Sequence, residues 1–95
     1  MSLQFRVMGG LKILSLNCRG LNGMKKRKEV FQFLKENKSD IYCLQDTHFT
    51  MEMQKTVYAE WNSECYFSHG TSKSRGVAVL FGNNIECKIN NTLFP

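Results

Sequence analysis

The four cysteines of this 95-residue chain do not form the close pairs that zinc sites and redox motifs require. Cys18, Cys43, Cys65 and Cys87 are instead spread evenly along the sequence. Most of them lie in or beside apolar runs, where a free cysteine behaves as a small hydrophobic residue. We therefore expect reduced thiols in an intracellular protein, either nuclear or cytoplasmic.

Long apolar segments are also missing. No stretch approaches the ~20 apolar residues of a membrane-spanning helix. The segment from Met1 to Gly10 lacks the apolar centre of a secretory signal. These absences argue against a membrane partner. We expect residues 1–10 to form a flexible lead-in that ends in Gly9-Gly10, and residues 11–95 to form one domain.

The composition favours a folded, basic protein. Hydrophobic residues make up 42% of the chain and aromatic residues 12%, enough for a packed core. The net charge is +5, and such a bias favours polyanionic partners. A soluble domain that is basic without any such partner is the alternative. The composition says nothing about the oligomeric state.

Two apolar runs, each closed by polar residues, predict a βαβ unit. The runs are Leu11–Leu16 and Ile41–Leu44, and the residues between them have apolar side chains at helical spacing. We expect a helix over residues 24–36, with Asn22 as its N-cap. A right-handed crossover of about 30 residues makes the two strands parallel, so their carboxyl ends share one edge of the sheet.

The second part of the chain predicts an antiparallel meander. Thr50 is a plausible cap for a helix that reaches about Glu60. Short strands are expected at Cys65–Ser68, at Val77–Phe81 and over residues 85–89. The predicted class is α+β, with a parallel βαβ unit followed by the meander.

Asn17 and Asp46 close the two parallel runs and are candidate ligands of a hard cation. Mg²⁺ prefers oxygen ligands and retains several waters, so one or two carboxylates beside a substrate phosphate suffice. Ligands of open α/β sheets also bind at this edge. A turn-forming or capping role is the alternative for an Asn or Asp that ends a strand.

Basic residues mark candidate contacts with nucleic acid. Lys25, Lys26, Arg27 and Lys28 occupy the first turn of the predicted helix, where the helix dipole disfavours positive charge. Either they form a solvated face or they contact phosphates. Further candidates lie in the predicted loops: Arg19, Lys73 and Arg75.

Three segments carry a family resemblance. Residues 11–22, LKILSLNCRGLN, resemble the opening strand of the endonuclease/exonuclease/phosphatase superfamily, in particular the endonuclease domain of LINE-type retrotransposons. Residues 40–48, DIYCLQDTH, are similar to the second motif of that family, and residues 74–81, SRGVAVLF, to its third. The same superfamily includes the apurinic/apyrimidinic endonucleases.

The resemblance implies a four-layer α/β-sandwich and Mg²⁺-dependent hydrolysis of DNA phosphodiesters. By motif position, Asn17 corresponds to the active-site asparagine of the family and Asp46 to its metal-binding acid, so both are candidate catalytic and metal-binding residues. The family's acid is usually glutamate, and the shorter aspartate requires the cation to lie closer to the strand or to bind through water.

The later catalytic residues of the family are absent from this sequence. These are a tyrosine, an Asp-x-Asn pair and an Asp-His pair, and His48 does not correspond to that histidine, so we expect it to cap or pack. The chain thus matches the N-terminal half of the sandwich, with one apolar sheet face left uncovered. We expect it to be inactive alone. Two alternatives are a small basic nucleic-acid-binding module without catalysis, and part of another phosphoesterase such as a phosphoinositide phosphatase or sphingomyelinase.

Overall fold

A computed structural model describes residues 2–70 and 75–83 of the chain, which form a mixed sheet with two α-helices on one face. The strands are β1 Leu3–Met8, β2 Leu11–Asn17, β3 Ile41–Gln45, β4 Cys65–Ser68 and β5 Val77–Phe81. The helices are α1 Met24–Asn37 and α2 Gln54–Trp61, and the 3-10 turn Met51–Met53 leads into α2. The predicted α+β class is confirmed at this level.

The strands lie in the order β1-β2-β3-β5-β4, and β2 and β3 form the parallel pair. Helix α1 connects these two strands, so the predicted βαβ unit is confirmed. Strand β5 runs antiparallel to both β3 and β4. The first two strands of the predicted meander are therefore present, and its third strand, over residues 85–89, lies outside the described residues.

The N-terminal segment differs from the expected flexible lead-in. Leu3–Met8 is a strand that pairs with β2 in antiparallel register, with Met8 opposite Leu11. Gly9 and Gly10 connect the strands with φ values of 55° and 82°. A two-residue hairpin turn with positive φ at both positions matches the right-handed twist of its strands, and glycine adopts it without strain. The Gly-Gly pair is therefore a hairpin turn.

The N-terminal caps of both helices differ from the prediction, although α1 begins at Met24 as expected. Gly23 is the N-cap residue of α1, and neither Asn22 nor any other side chain caps that end. Thr50 precedes the 3-10 turn but makes no side-chain cap hydrogen bond. The apolar stripe predicted for α1 is buried as expected, and it includes Val30, Phe31 and Leu34.

The core lies between the helices and one face of the sheet. Alternate residues of the central strands point into it and are almost fully buried: Leu14, Leu16, Tyr42, Leu44, Ala78 and Leu80. Trp61 of α2 packs edge-on against Phe31 and Tyr42, with ring centroids 5.4 and 5.1 Å apart. Such aromatic pairs add about 1 kcal/mol each beyond the area they bury. None of the helices in the described part of the chain has the length and apolarity needed to cross a bilayer.

The opposite face of the sheet has no helix over it among the described residues. Strand register places its side chains in rows, because residues paired across a sheet share a face. One row is largely apolar: it contains Ile13, Ile41 and Phe81, with Arg6 of β1 at its outer end. The row at the carboxyl edge of β3 instead contains Asn17, Gln45 and Val77. This surface, here called the open face, changes from apolar to polar toward that edge.

Thiol labelling is expected to distinguish the open face from the core. The three described cysteines are free, and burial raises the pKa of the Cys18 and Cys65 thiols to about 11. Roughly one such thiol in a thousand is ionised at about pH 8, and only the thiolate reacts. Cys43 is half-buried on the open face. Iodoacetamide treatment of a Cys87→Ser variant, followed by mass spectrometry, should modify Cys43 first, whereas faster labelling of Cys18 would contradict this packing.

Candidate functional site at the carboxyl edge of the sheet

The loops that follow β2 and β3 continue side by side beyond the sheet. Asn17 lies opposite Gln45 at the end of the parallel ladder. The Cys18 backbone N–H then donates to the Gln45 carbonyl at 2.8 Å, and the Gly20 N–H donates to the Asp46 carbonyl at 2.7 Å. The structure therefore brings the predicted residues Asn17 and Asp46 to one edge, on neighbouring backbones. No hydrogen bond joins the side chains of these two described residues.

The Asn17 carboxamide presents an oxygen without a partner. Asn17 Oδ1 is buried, and no group in the described parts of the chain donates a hydrogen bond to it. Its neighbour Gln45 is satisfied, since Gln45 Nε2 donates to Ser15 Oγ at 2.7 Å. A buried acceptor without a donor is unfavourable, and native structures contain few of them. This oxygen is the clearest sign in the described residues that the edge is built to receive another group.

Asp46 is held by a histidine that the sequence analysis assigned to capping or packing. His48 Nε2 lies 2.6 Å from Asp46 Oδ1, and both side chains are partly exposed. The second carboxylate oxygen, Oδ2, accepts no hydrogen bond within residues 2–70 and 75–83. His48 thus orients the carboxylate and leaves one oxygen for a ligand. Sequence spacing did not predict this contact, because it depends on the left-handed backbone of both Asp46 and His48.

Left-handed backbone is concentrated at this edge. Arg19, Asp46 and His48 have φ values of 52°, 56° and 60°, whereas Lys38 and Asn62 adopt this conformation as C-caps of the two helices. Such conformations are unfavourable for residues with a Cβ, and they are enriched at functional sites. Gly20 has a φ of 90°, and a Cβ there would lie 3.4 Å from His48 Nδ1.

The donor set at the edge fits a hard cation held partly through water. It offers one carboxylate oxygen of Asp46 and the buried amide oxygen of Asn17. Oxygen donors in this number match Mg²⁺, which retains waters and uses one or two carboxylates. They do not match a zinc site, since the described residues contain no cluster of three or more His, Cys, Asp or Glu side chains.

Two of the basic residues predicted to bind nucleic acid instead hold the loop after β2. Lys26 Nζ donates to the carbonyls of Cys18 and Arg19 at 2.8 and 3.2 Å. Arg27 is 5% exposed, and its guanidinium forms a fork with the Glu60 carboxylate, at 2.6 and 3.3 Å. Its third nitrogen, NH1, donates to the Leu21 and Asn22 carbonyls at 3.1 Å.

The prediction for Arg27 is therefore corrected, because a guanidinium with these partners inside the protein is not available to a phosphate. The positive charge at the start of α1 is explained by these contacts, since Lys26 and Arg27 donate to carbonyls of the loop. The sequence pattern did not reveal this role. The remaining basic candidates are exposed: Arg19, Lys25, Lys28 and Arg75. Arg19 and Arg75 flank the site, since the Arg75 carbonyl accepts from the His48 N–H at 2.9 Å. Lys73 lies outside the described residues.

The comparisons with known proteins give one similarity of note. No family model matches the chain. The uncharacterized 149 kDa protein of transposon TX1 from Xenopus laevis is 30% identical over 79 residues, which is 83% of this chain and 6% of that protein. The chain thus spans a small fraction of the length of this relative. The similarity relates the chain to transposon-encoded protein sequence.

Proposed function

We propose that this segment is the N-terminal part of a Mg²⁺-dependent DNA-nicking phosphodiesterase domain that derives from a LINE-type retrotransposon. Asn17 and Asp46 belong to its cation site. The single observation that carries the proposal is the buried Asn17 Oδ1, which has no hydrogen-bond donor among the described residues and lies at the sheet edge where the backbones of Asn17 and Asp46 run side by side. The similarity to a transposon protein supports the proposed origin. The endonuclease motifs at residues 11–22, 40–48 and 74–81 support the proposed reaction.

The open face supports the idea that this segment is one half of a sandwich. It displays Ile13, Ile41, Val79 and Phe81 on the side of the sheet opposite the helices, and each of these is half-buried. A contiguous apolar surface of this kind is normally covered by another layer. We propose that a second sheet covers it and supplies the remaining catalytic residues, so that the segment alone is inactive.

The residues at the edge have separable tasks in the proposed reaction. A bound Mg²⁺ would polarise the phosphoryl oxygen of the scissile phosphodiester. The Asp46 carboxylate and Asn17 Oδ1 would hold it, while His48 keeps Asp46 in one orientation. Arg19 and Arg75 would bind neighbouring phosphates of the DNA strand. The loop contacts of Lys26 and Arg27 keep Arg19 and Gly20 beside Asp46.

Paramagnetic Mn²⁺ is the direct probe of this site, since it prefers the same oxygen ligands as Mg²⁺. Titration of ¹⁵N-labelled chain should broaden the amide signals of Asn17, Gly20 and Asp46 before others, and excess Mg²⁺ should reverse the effect. Asp46→Ala should abolish this local broadening. The matched control is Glu29→Ala, which removes an exposed carboxylate from α1.

Broadening that persists in Asp46→Ala, or that is centred elsewhere, would remove Asp46 from the cation site. A measurement of DNA binding with and without divalent cations addresses the alternative, a basic binding module without catalysis. If DNA binds the chain equally well with and without divalent cations, and Asp46→Ala does not alter it, the module explains the chain better than the enzyme does. Arg19 and Arg75 are exposed, so both are available to bind DNA phosphates in the nuclease and in the binding module alike.

A further inference from the structure

Strand β1 forms one edge of the sheet, and none of the described strands pairs with its outer side. The backbone N–H of Asn17 donates to the Ser2 carbonyl at 2.9 Å, so the backbone groups of Ser2 point toward β2. In an antiparallel ladder, successive residues direct their backbone groups to opposite sides of the strand. Leu3, Phe5 and Val7 therefore direct their N–H and C=O groups outward, away from β2.

The side chains of the same three residues form an exposed apolar strip, here called the edge strip. Leu3, Phe5 and Val7 are 39%, 47% and 74% exposed, although register places them on the sheet face that carries the helices. Native proteins usually protect an edge strand with proline, lysine or a bulge. Strand β1 has none of these, since its residues LQFRVM pair with β2 in unbroken register. Its outer side is thus suited to pair with another strand.

The edge of β1 is complementary to itself, because its outward-directed residues are placed symmetrically about Phe5. Two copies of β1, antiparallel about a twofold axis at Phe5, pair Phe5 with Phe5 and Leu3 with Val7. Each of these pairs exchanges both of its backbone hydrogen bonds. The edge strips of the two copies then meet on one face of the joined sheet, as an aromatic pair flanked by aliphatic pairs. Cross-strand pairs of these kinds stabilise a sheet.

The charge on the other face of β1 favours the same register. Arg6 is the only charged residue of β1, and it lies with Gln4 on the open face. When the pairing is centred on Phe5, Arg6 lies opposite Gln4 of the second copy. A pairing centred on Arg6 would instead place the two guanidinium groups opposite each other. Like charges directly opposite are unfavourable, so the charge selects the register centred on Phe5.

We propose that β1 pairs with β1 of a second copy of this chain, antiparallel and centred on Phe5, so that the two sheets join into one. The same contact buries the edge strip and satisfies its outward backbone groups. The contact is small, because it involves a single strand of each copy. We therefore expect a weak dimer with a Kd on the order of 100 μM. The proposal does not depend on the proposed nuclease activity, because β1 contains none of the residues of the cation site.

The test combines sedimentation velocity with amide hydrogen exchange, both measured on the 95-residue chain over a concentration series that spans the expected Kd. Sedimentation gives the oligomeric state, and exchange followed by NMR locates the contact. We expect exchange at Leu3, Phe5 and Val7 to slow as the concentration rises. Exchange at Gln4 and Arg6 should change less, because their N–H groups already point toward β2.

Variants of Val7 separate edge pairing from other association. Val7→Pro removes an outward N–H but no hydrogen bond between β1 and β2, and proline is tolerated on an edge strand with its nitrogen facing solvent. It should raise the dimer Kd at least about tenfold. Val7→Thr keeps the N–H and the β-branched shape, so the Kd should change less than about threefold. Met24→Ala removes a 70% exposed apolar side chain from α1 and should leave the Kd unchanged.

Substitutions of the exposed Gln4 test the register. Gln4→Lys places an ammonium opposite Arg6 of the second copy and should weaken the dimer about threefold or more, whereas Gln4→Glu places a carboxylate there and should not weaken it. Equal Kd values for these two variants would overturn the pairing centred on Phe5. A chain that stays monomeric across the series would overturn the proposal and favour a strand of another protein as the partner of β1. Association that leaves exchange at Phe5 and Val7 unchanged would overturn it as well.

Discussion

Replacement of Asp46 by alanine should abolish DNA nicking by a longer protein that carries this segment together with the remaining catalytic residues. A metal ion stabilises developing charge on a phosphoryl group by several kcal/mol, so its loss should slow the reaction by about 10³-fold or more. The measurement is conversion of supercoiled to nicked plasmid in Mg²⁺, with rates determined under single-turnover conditions. Asp46→Glu should retain activity, because it keeps a carboxylate and introduces the acid that is usual in the proposed endonuclease family.

Two further variants separate loss of the cation from loss of the fold. Glu29→Ala removes an exposed carboxylate from α1 and should nick at the original rate. Asn17→Ala should reduce the rate, because the buried Asn17 Oδ1 belongs to the proposed cation site. Undiminished nicking by Asp46→Ala, in a variant that folds normally, would show that another acid binds the cation.

Replacement of Arg27 by alanine should lower the free energy of unfolding by about 3 kcal/mol. The change leaves the Glu60 carboxylate, 28% exposed, without its partner, and it leaves the Leu21 and Asn22 carbonyls without the NH1 donor. Loss of one partner of a buried ion pair is costly because the other charge stays in a poorly solvated place. Urea denaturation followed by circular dichroism gives the free energy.

Arg27→Lys and Lys28→Ala are the matched controls. Lysine keeps the charge of Arg27 but lacks the planar fork that binds both Glu60 oxygens, so we expect a loss of about 1 to 2 kcal/mol. Lys28 is the exposed neighbour, and its replacement should change stability by less than about 0.5 kcal/mol. Hydrogen exchange should also accelerate at Gly20 and Leu21 in Arg27→Ala. Stability equal to that of Lys28→Ala would mean that the ion pair does not hold the loop.

The βαβ unit could be predicted because its signals are local. Apolar runs at residues 11–16 and 41–44, with a helical stripe between them, determine the parallel pair once the crossover is right-handed. The N-terminal hairpin could also have been predicted locally, because Gly9-Gly10 suits a two-residue hairpin turn. The expectation of a flexible lead-in did not take this into account. The start of α1 at Met24 was predicted as well, whereas the capping was not, because Asn22 and Thr50 resemble caps yet make no capping bond.

By itself, the sequence determined the mixed α+β class, the parallel pair and the meeting of Asn17 and Asp46 at one edge, because strand direction follows from apolar periodicity and crossover handedness. Only the tertiary structure determined which partners the side chains contact. Arg27 pairs with Glu60 inside the protein, His48 supports Asp46, and Asn17 Oδ1 has no donor among the described residues. These outcomes depend on side chains distant in sequence or on left-handed turns, and no local pattern of residues records either of them.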